Sequence, residues 1–423
     1  MPLEEQPLVP ASPLMDPEIQ KCPYDYYRRV RSESPVLWDE AMRCFIITTH
    51  ALIREASRNV EVFSSTGSLD FPREGEPSAE ALAIRARTYQ TRPLTVTLDP
   101  PEHTDYRRIM AGALTPEKQV AARTQIQGFV KRFLSALLAT GGGDFAEEFS
   151  TPLPFAVICT LMGLPEDMWG RVRIWADSYT APLSGRITRE LELQCAELYV
   201  ERQEYLAALV AARRLASSPP DDLITAVALA RRANGEQMEM SDVLSMIEQF
   251  VVAGAETTKN TLSSGAFILA QRPDLVAELR EQPDRVGVFV EEVLRVRAPA
   301  QAMMRLTTRD TRLGGVDIPA GSKIMLRYGA GNTDEQVFNR AEEVDLSRAN
   351  ARAHLAFGHG IHMCQGAALA RIELEESFSA LVNQVDKLKL SSAPDAVQYI
   401  PAHSFMGFLR LELEMTPRAT ASA

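Results

Sequence analysis

The 423-residue chain is poor in cysteine: Cys22, Cys44, Cys159, Cys195 and Cys364 make an odd count at irregular spacings. That excludes a disulfide framework and points to a reducing compartment. No apolar run reaches the roughly 18 residues that a membrane span requires. The start, Met1-Pro2-Leu3-Glu4-Glu5-Gln6-Pro7, is acidic and proline-bearing, without the basic residues and apolar stretch of a signal peptide. A cytoplasmic protein with no membrane segment is the expectation. Positive charge is also in deficit, and the net charge of −11 argues against broad nucleic-acid binding. Internal repeats, low-complexity tracts and long flexible linkers are missing too. The strongest break, Ser217-Ser218-Pro219-Pro220-Asp221-Asp222, reads as a loop between helices.

What remains is an ordinary globular composition, 45% hydrophobic and 24% charged, in a chain long enough to bury a large core. One large domain with two lobes is expected over residues 15–416, with a flexible N-terminus at 1–14 and a tail at 417–423. Val36-Leu37-Trp38 and Cys44-Phe45-Ile46-Ile47-Thr48 read as a hairpin. Further β signals near 312–326 and 408–415 complete a small β-rich lobe, and most of the remaining chain reads as helix. Thr115-Pro116-Glu117 opens one helix with a capping hydroxyl, a first-position proline and an early acid; it should stop near Gly141-Gly142-Gly143. Those glycines read as a loop, because Asp144 follows and the lysine of a phosphate-cradling loop is missing. A long, apolar-rich helix is predicted from Ser241 to about Gln271, spanning about 45 Å.

Two places break the pattern of a plain helical core. The first is Phe357-Gly358-His359-Gly360-Ile361-His362-Met363-Cys364-Gln365-Gly366, which sets one cysteine in a glycine-bounded loop before a helix. Glycines let the chain approach a flat ligand, and free N–H groups at a helix start stabilise a thiolate, the form that ligates metals. A zinc site from His359, His362 and Cys364 is the alternative, but the spacing is tight and no second ligand pair exists. The second place is Ala253-Gly254-Ala255-Glu256-Thr257-Thr258 at the middle of the long helix, where glycine and threonine cost helix propensity. A threonine hydroxyl can bond the carbonyl four residues back, here Ala253, while Gly254 leaves room for a small ligand.

Phe357, Gly360, His362, Cys364 and Gly366, continuing into Leu369-Ala370-Arg371, resemble the haem-binding signature of the cytochrome P450 family, and the resemblance runs from about residue 15 to the C-terminus. It implies a mainly α fold with a smaller β lobe, holding haem b between the long helix and the cysteine loop, with Cys364 as the axial thiolate. A thiolate in that place favours O–O bond cleavage. Such cleavage takes two protons inside an apolar site, and Glu256 with Thr257 match the family's acid–threonine pair. The resemblance also implies that His103, Arg107, Arg305 and His362 reach the haem propionates. It places Glu292 and Arg295, an E-x-x-R, in a buried structural triad with Arg348. Substrate would be met by the stretch before Asp99 and by Gln249, Val252, Ala253, Ala300, Met303 and Phe405, a mostly apolar set in which Gln249 could hold one polar group. The segment from about Ser64 to Val96 reads as a lid.

The implied activity is monooxygenation: one atom of dioxygen enters a C–H bond of an apolar or aromatic small molecule, by hydroxylation or oxidative dealkylation. No flavin or iron–sulfur domain is apparent, so a separate ferredoxin with its reductase is the expected electron source. Arg107, Arg108, Arg352 and Arg371 offer it a basic face. A peroxide-driven haem enzyme and a non-catalytic haem-binding protein are the rival readings; Glu256 and Thr257 count against the first, and the second has no need of Thr257.

Overall fold

The computed structural model describes residues 12–69, 77–181 and 187–419. Twelve strands are used below: β1 (Val36–Asp39), β2 (Cys44–Ile47), β3 (Phe63–Ser64), β4 (Gly142–Asp144), β5 (Met303–Thr307), β6 (Thr311–Leu313), β7 (Val316–Ile318), β8 (Lys323–Leu326), β9 (Val385–Leu390), β10 (Gln398–Tyr399), β11 (Phe408–Arg410) and β12 (Glu412–Pro417). The helices that position the site are α1 (Glu102–Ala113), α2 (Pro116–Ala121), α3 (Arg123–Thr140), α4 (Pro152–Leu161), α5 (Trp169–Thr180), α6 (Arg189–Leu215), α7 (Met240–Gln271), α8 (Val286–Val296) and α9 (Ala367–Gln384).

The predicted hairpin forms, with Val36 opposite Ile47, and belongs to a sheet of order β1-β2-β8-β5-β3. Side chains alternate across it as a strand's two-residue period requires. Ile46, Met304 and Met325 pack with Tyr26, Tyr27 and Val30 on one face. Ile47, Ile324 and Leu326 pack with Ile53, Phe63 and Tyr328 on the other. Residues 311–318 form only the small β6–β7 hairpin.

The 408–415 strands depart from expectation, because they lie outside this lobe. β12 pairs with β9 and β4 in a separate sheet, and Leu413 and Met415 join the helical core beside Phe145, Phe149, Leu262 and Phe378. The physical reason is local: β9 follows α9 directly, so its partner strand is drawn to the helical side. The glycine run is likewise a strand edge as well as a helix stop. Gly141 caps α3 at φ +80°, whereas Gly142 sits in β4 where an added Cβ would meet the Leu413 carbonyl oxygen at 2.0 Å. The helix begun at Thr115 is broken at Ala122 into α2 and α3, with the Thr115 hydroxyl accepting from the Lys118 N–H.

The expected termini shift as well. Leu14 is buried in the core below the β lobe, and the Ser12 hydroxyl donates to Asp39 at 2.5 Å, so ordered packing starts before residue 15. Pro417 is still within β12, and the Arg418 N–H donates to the Gln384 carbonyl. Residues 1–11 and 420–423 lie outside the described residues, as do 70–76 of the expected lid.

The long helix matches its prediction closely and runs through the core, stopping before Pro273. Its crossing with α9 is tight: at Gly265 an added Cβ would stand 2.1 Å from the Phe378 ring. The helices can approach this closely because one partner has no side chain there. On the N-terminal side of that crossing α7 and α9 diverge, and a cavity opens between the middle of α7 and the 357–366 loop.

Candidate active site

The cavity holds about 1420 Å³ of space free of protein atoms, its open mouth included, so a flat macrocycle and a small molecule can share it. Cys364 lies on one wall and Thr257 on another. The loop reaches its shape through Gly358 and Gly360, at φ +71° and +75°; at Gly360 a Cβ would also strike the Ser57 carbonyl oxygen at 2.6 Å. The Cys364 N–H donates to the Phe357 carbonyl at 2.8 Å, closing the loop on itself. The cysteine opens to the cavity while protein surrounds it elsewhere. Burial therefore pushes its thiol pKa up, against the pull of the Gly366 N–H, Arg107 and Arg371. An apolar site with two cations and an N–H near sulfur suits a thiolate whose charge a metal neutralises.

At the middle of α7 the Thr257 hydroxyl donates to the Ala253 carbonyl at 3.0 Å, as its sequence position predicts. Gly254 also faces the cavity; a Cβ there would make only ordinary contact with Ile158 at 3.5 Å, so packing does not demand the glycine. Its bareness enlarges the cavity. Glu256 points elsewhere: its carboxylate pairs with Lys259 at 2.8 Å, and it is not among the residues lining the cavity. Arg173, itself paired with Glu147 at 2.6 Å, and Asp177 complete a charged group on that side, with burial raising the Asp177 pKa.

Four cationic or imidazole side chains converge at the cavity's edge. The His103 and His362 rings lie 4.3 Å apart, centroid to centroid. Arg107 donates to the Met363 carbonyl and Arg305 to the Met304 carbonyl. Burial, reinforced by Arg305, His103 and Arg107, lowers the His362 pKa to about 3. Among the described residues neither Arg107 nor Arg305 has an ion-pair partner, while His103 Nε2 and Arg305 Nε are buried without hydrogen-bond partners. Buried polar groups of this kind need hydrogen-bond partners, and the Arg305 charge needs an anion. Carboxylates on a ligand's edge meet that need, so the donor set fits haem b: a sulfur on one side of the cavity and cations at the rim.

Beneath the cysteine loop, Glu292 and Arg295 pair at 2.6 Å, both wholly buried, and Arg348 Nε stands 3.0 Å from Glu292. Arg295 also donates to the carbonyls of Asn332, Ala341 and Glu343. The expected triad is thus assembled. Its neighbour Glu291 was missed from the sequence. It accepts from His354 at 2.9 Å and from Arg371 at 2.7 Å, and lies 3.3 Å from Arg352. Its partners come from distant segments, and the E-x-x-R spacing drew attention one residue further on.

The expected substrate wall is partly corrected. Gln249, Ala253, Ala300 and Met303 line the cavity. Gln249 Oε1 is already engaged, accepting from the Thr95 N–H at 2.9 Å, so it ties the 95–97 turn to α7 and has only its amide N–H groups to offer. Val252 faces a separate small cavity beside Trp175, Arg202 and Glu248, because one helical step of about 100° carries it off the wall. Phe405 is brought to Ala300 by a backbone bridge, but its side chain is not part of the wall. Of the four arginines expected on a docking face, Arg108 is held by Asp105 and Arg371 by Glu291, while Arg352 is largely exposed. Glu373, a buried acid on the cavity wall, was not anticipated; it sits between Ile372 and Leu374 in the charge-rich run Arg371-Ile372-Glu373-Leu374-Glu375-Glu376, so its burial has little signal in the sequence.

Comparison with known proteins agrees with this geometry. The family model described as Cytochrome P450 matches residues 180–287 and 286–395. The polyketide biosynthesis cytochrome P450 PksS of Bacillus subtilis is 34% identical over 302 residues, covering 71% of this chain and 72% of that protein. Linalool 8-monooxygenase of Pseudomonas putida is 29% identical over 384 residues, covering 90% of this chain and 93% of its own length. The CYP116B5 heme domain of Acinetobacter radioresistens superposes with a TM-score of 0.88 at 25% identity, covering 96% of this chain and 97% of that one. With the cysteine loop, the acid–threonine helix and the buried E-x-x-R in place, the chain belongs to the cytochrome P450 family, which binds haem b.

Proposed function

We propose that this cytochrome P450 places one atom of dioxygen into a C–H bond of an apolar or aromatic small molecule, with electrons from a separate ferredoxin. The observation that carries the reading is the shared cavity: Cys364 on one wall, the Thr257 hydroxyl on another, and a mostly apolar lining between. Cys364 would hold haem b through its sulfur, with His103, Arg107, Arg305 and His362 at its carboxylates. Bound there, the group supplies oxygen activation supported by a thiolate ligand.

The chain's own residues do the rest. Ala253, Ala300 and Met303 exclude water and orient an apolar substrate. The Thr257 hydroxyl, anchored on the Ala253 carbonyl, keeps lone pairs free to take a proton and pass one on. Glu256 stands behind it and delivers protons only after leaving Lys259. The apolar wall agrees with the terpenoid alcohol named for the linalool 8-monooxygenase relative, and the same substrate class is proposed here.

A panel of monoterpenoids, aromatic acids and fatty acids tests the reading through the haem absorption spectrum. A spectral shift on binding, followed by a hydroxylated product with ferredoxin and its reductase, supports it. Product formation with peroxide alone, equal to that with ferredoxin, overturns the dioxygen reading.

A further inference from the structure

Beside the structural triad stands a second buried carboxylate, Glu291, with partners of its own. Its side chain is 3% exposed and both oxygens are engaged. Oε1 accepts from Arg371 Nε at 2.7 Å, and Oε2 from a terminal Arg371 nitrogen at 3.1 Å and from His354 Nε2 at 2.9 Å. His354 Nδ1 accepts from the Ala356 N–H at 3.1 Å, so the ring proton sits on Nε2 and is the one given to Glu291. Arg352 lies 3.3 Å away, but its side chain is 77% exposed and its charge is screened by solvent. The charge set against Glu291 is therefore that of Arg371, held in a two-point fork.

Arg371 in turn reaches the cysteine loop. Its guanidinium carbon lies 4.6 Å from the centre of the Phe357 ring, and the Phe357 carbonyl accepts the Cys364 N–H at 2.8 Å. The contacts run without a break from carboxylate to guanidinium, ring and cysteine. The Arg371 charge is felt at the Cys364 sulfur, where it opposes the effect of burial. The guanidinium is partly buried and the carboxylate almost wholly so. Charges so placed act more strongly than they would in water and are screened by salt far less than surface pairs.

We propose that Glu291 is a positioning residue for electron uptake: it fixes Arg371 on the Phe357 ring and offsets that cation's pull on the cysteine sulfur, so that the pair sets the reduction potential of the haem that Cys364 holds. Each reduction brings in one electron from the external iron–sulfur donor, and with it one negative charge; no bond is made or broken and no proton moves at Glu291. Net positive surroundings favour the added charge, and net negative surroundings oppose it. The inference rests on Cys364 as the haem ligand, which the carbon monoxide spectrum reports independently of the potential.

The test is a spectroscopic redox titration of the haem-loaded protein without substrate, for wild type, Glu291→Gln, Arg371→Gln and the double variant. Glu291→Gln leaves the Arg371 charge uncompensated and should raise the potential. Arg371→Gln leaves the Glu291 charge uncompensated and should lower it, each single variant moving the reduction equilibrium several-fold. The double variant should return towards wild type. A structural role alone would move both single variants in the same direction or neither, and either result overturns the proposal. Glu291→Asp, which keeps the charge, should stay near the wild-type potential; a rise equal to that of Gln would assign the effect to geometry and overturn the proposal as well. If Glu291→Gln takes up no haem, the sign of the Arg371→Gln shift decides alone. A wild type whose carbon monoxide spectrum is not that of thiolate ligation overturns the haem–thiolate reading itself, and the proposal with it.

Discussion

Glu256 and Thr257 are adjacent in sequence but differently placed: Thr257 lines the cavity, while Glu256 is held 2.8 Å from Lys259 and is not part of the cavity wall. Adjacent positions on an α-helix point about 100° apart, and the acid, turned off the cavity wall, would need a side-chain swing to reach it. The two residues should therefore fail differently. Thr257→Ala should keep oxygen consumption but divert it from product to hydrogen peroxide, whereas Glu256→Gln should slow oxygen consumption itself by about 10²-fold, the lower end for a general acid. Steady-state oxygen, product and peroxide measurements separate the two. Equal losses of the same kind in both variants would contradict this division.

The Glu292–Arg295 pair stabilises only as a whole. Removing either partner leaves the other charge wholly buried, and breaking such pairs costs about 3–5 kcal/mol. Glu292→Ala should lose haem and unfold at markedly lower denaturant. A variant with wild-type stability and haem content would show that the triad does not support the loop.

The neighbouring Glu291 sets an acid limb. Burial opposes its ionisation, but hydrogen bonds from His354 and Arg371 outweigh that and hold its pKa at about 2 rather than 4.5. A carboxylate whose folded pKa lies below its unfolded value contributes in full above the unfolded value and loses that contribution as pH falls. Stability should thus decline between about 4.5 and about 2 through this group. Glu291→Gln should be less stable at neutral pH and show a flatter decline through that window in chemical denaturation. Parallel curves for the two proteins would remove Glu291 as the cause.

Gly265 permits the α7–α9 crossing. A methyl group there would overlap the Phe378 ring, and Phe378 is itself fully buried. Gly265→Ala should destabilise by about 1–3 kcal/mol, the usual cost of overpacking. Adding Phe378→Leu should recover part of the loss, and a double-mutant cycle without coupling would contradict the contact.

Electron delivery should depend on Arg352, which is largely exposed and only loosely held at 3.3 Å by Glu291. Arg352→Glu should weaken the apparent affinity for an acidic ferredoxin, and the difference from wild type should shrink as ionic strength rises. Turnover indifferent to both changes would place the docking site elsewhere.

What could be read from the sequence was the chemistry carried by neighbours in the chain. The cysteine loop and the Thr257 back-bond are settled within a few residues of themselves, so spacing and residue type sufficed. Gln249 does line the cavity, but its Oε1 is taken by the Thr95 N–H, 154 residues away, which no local pattern shows. Val252 was misplaced by one helical step, which periodicity alone does not resolve at the end of a pocket. The strands near 408–415 were recognised as strands but assigned to the wrong sheet, since pairing with β9 and β4 is set by packing on the helical core. Glu291 and Glu373 take their character from burial and distant partners, or from the want of them, and neither is visible in a local pattern.

The central claim is that Cys364 provides a thiolate to haem b in the cavity beneath Thr257. Its most direct test is the absorption spectrum of the dithionite-reduced protein under carbon monoxide, wild type against Cys364→Ser. A strongly red-shifted Soret band in the wild type that disappears in the variant is the predicted result; a wild-type spectrum of histidine-ligated haem, or protein that takes up no haem, would contradict it.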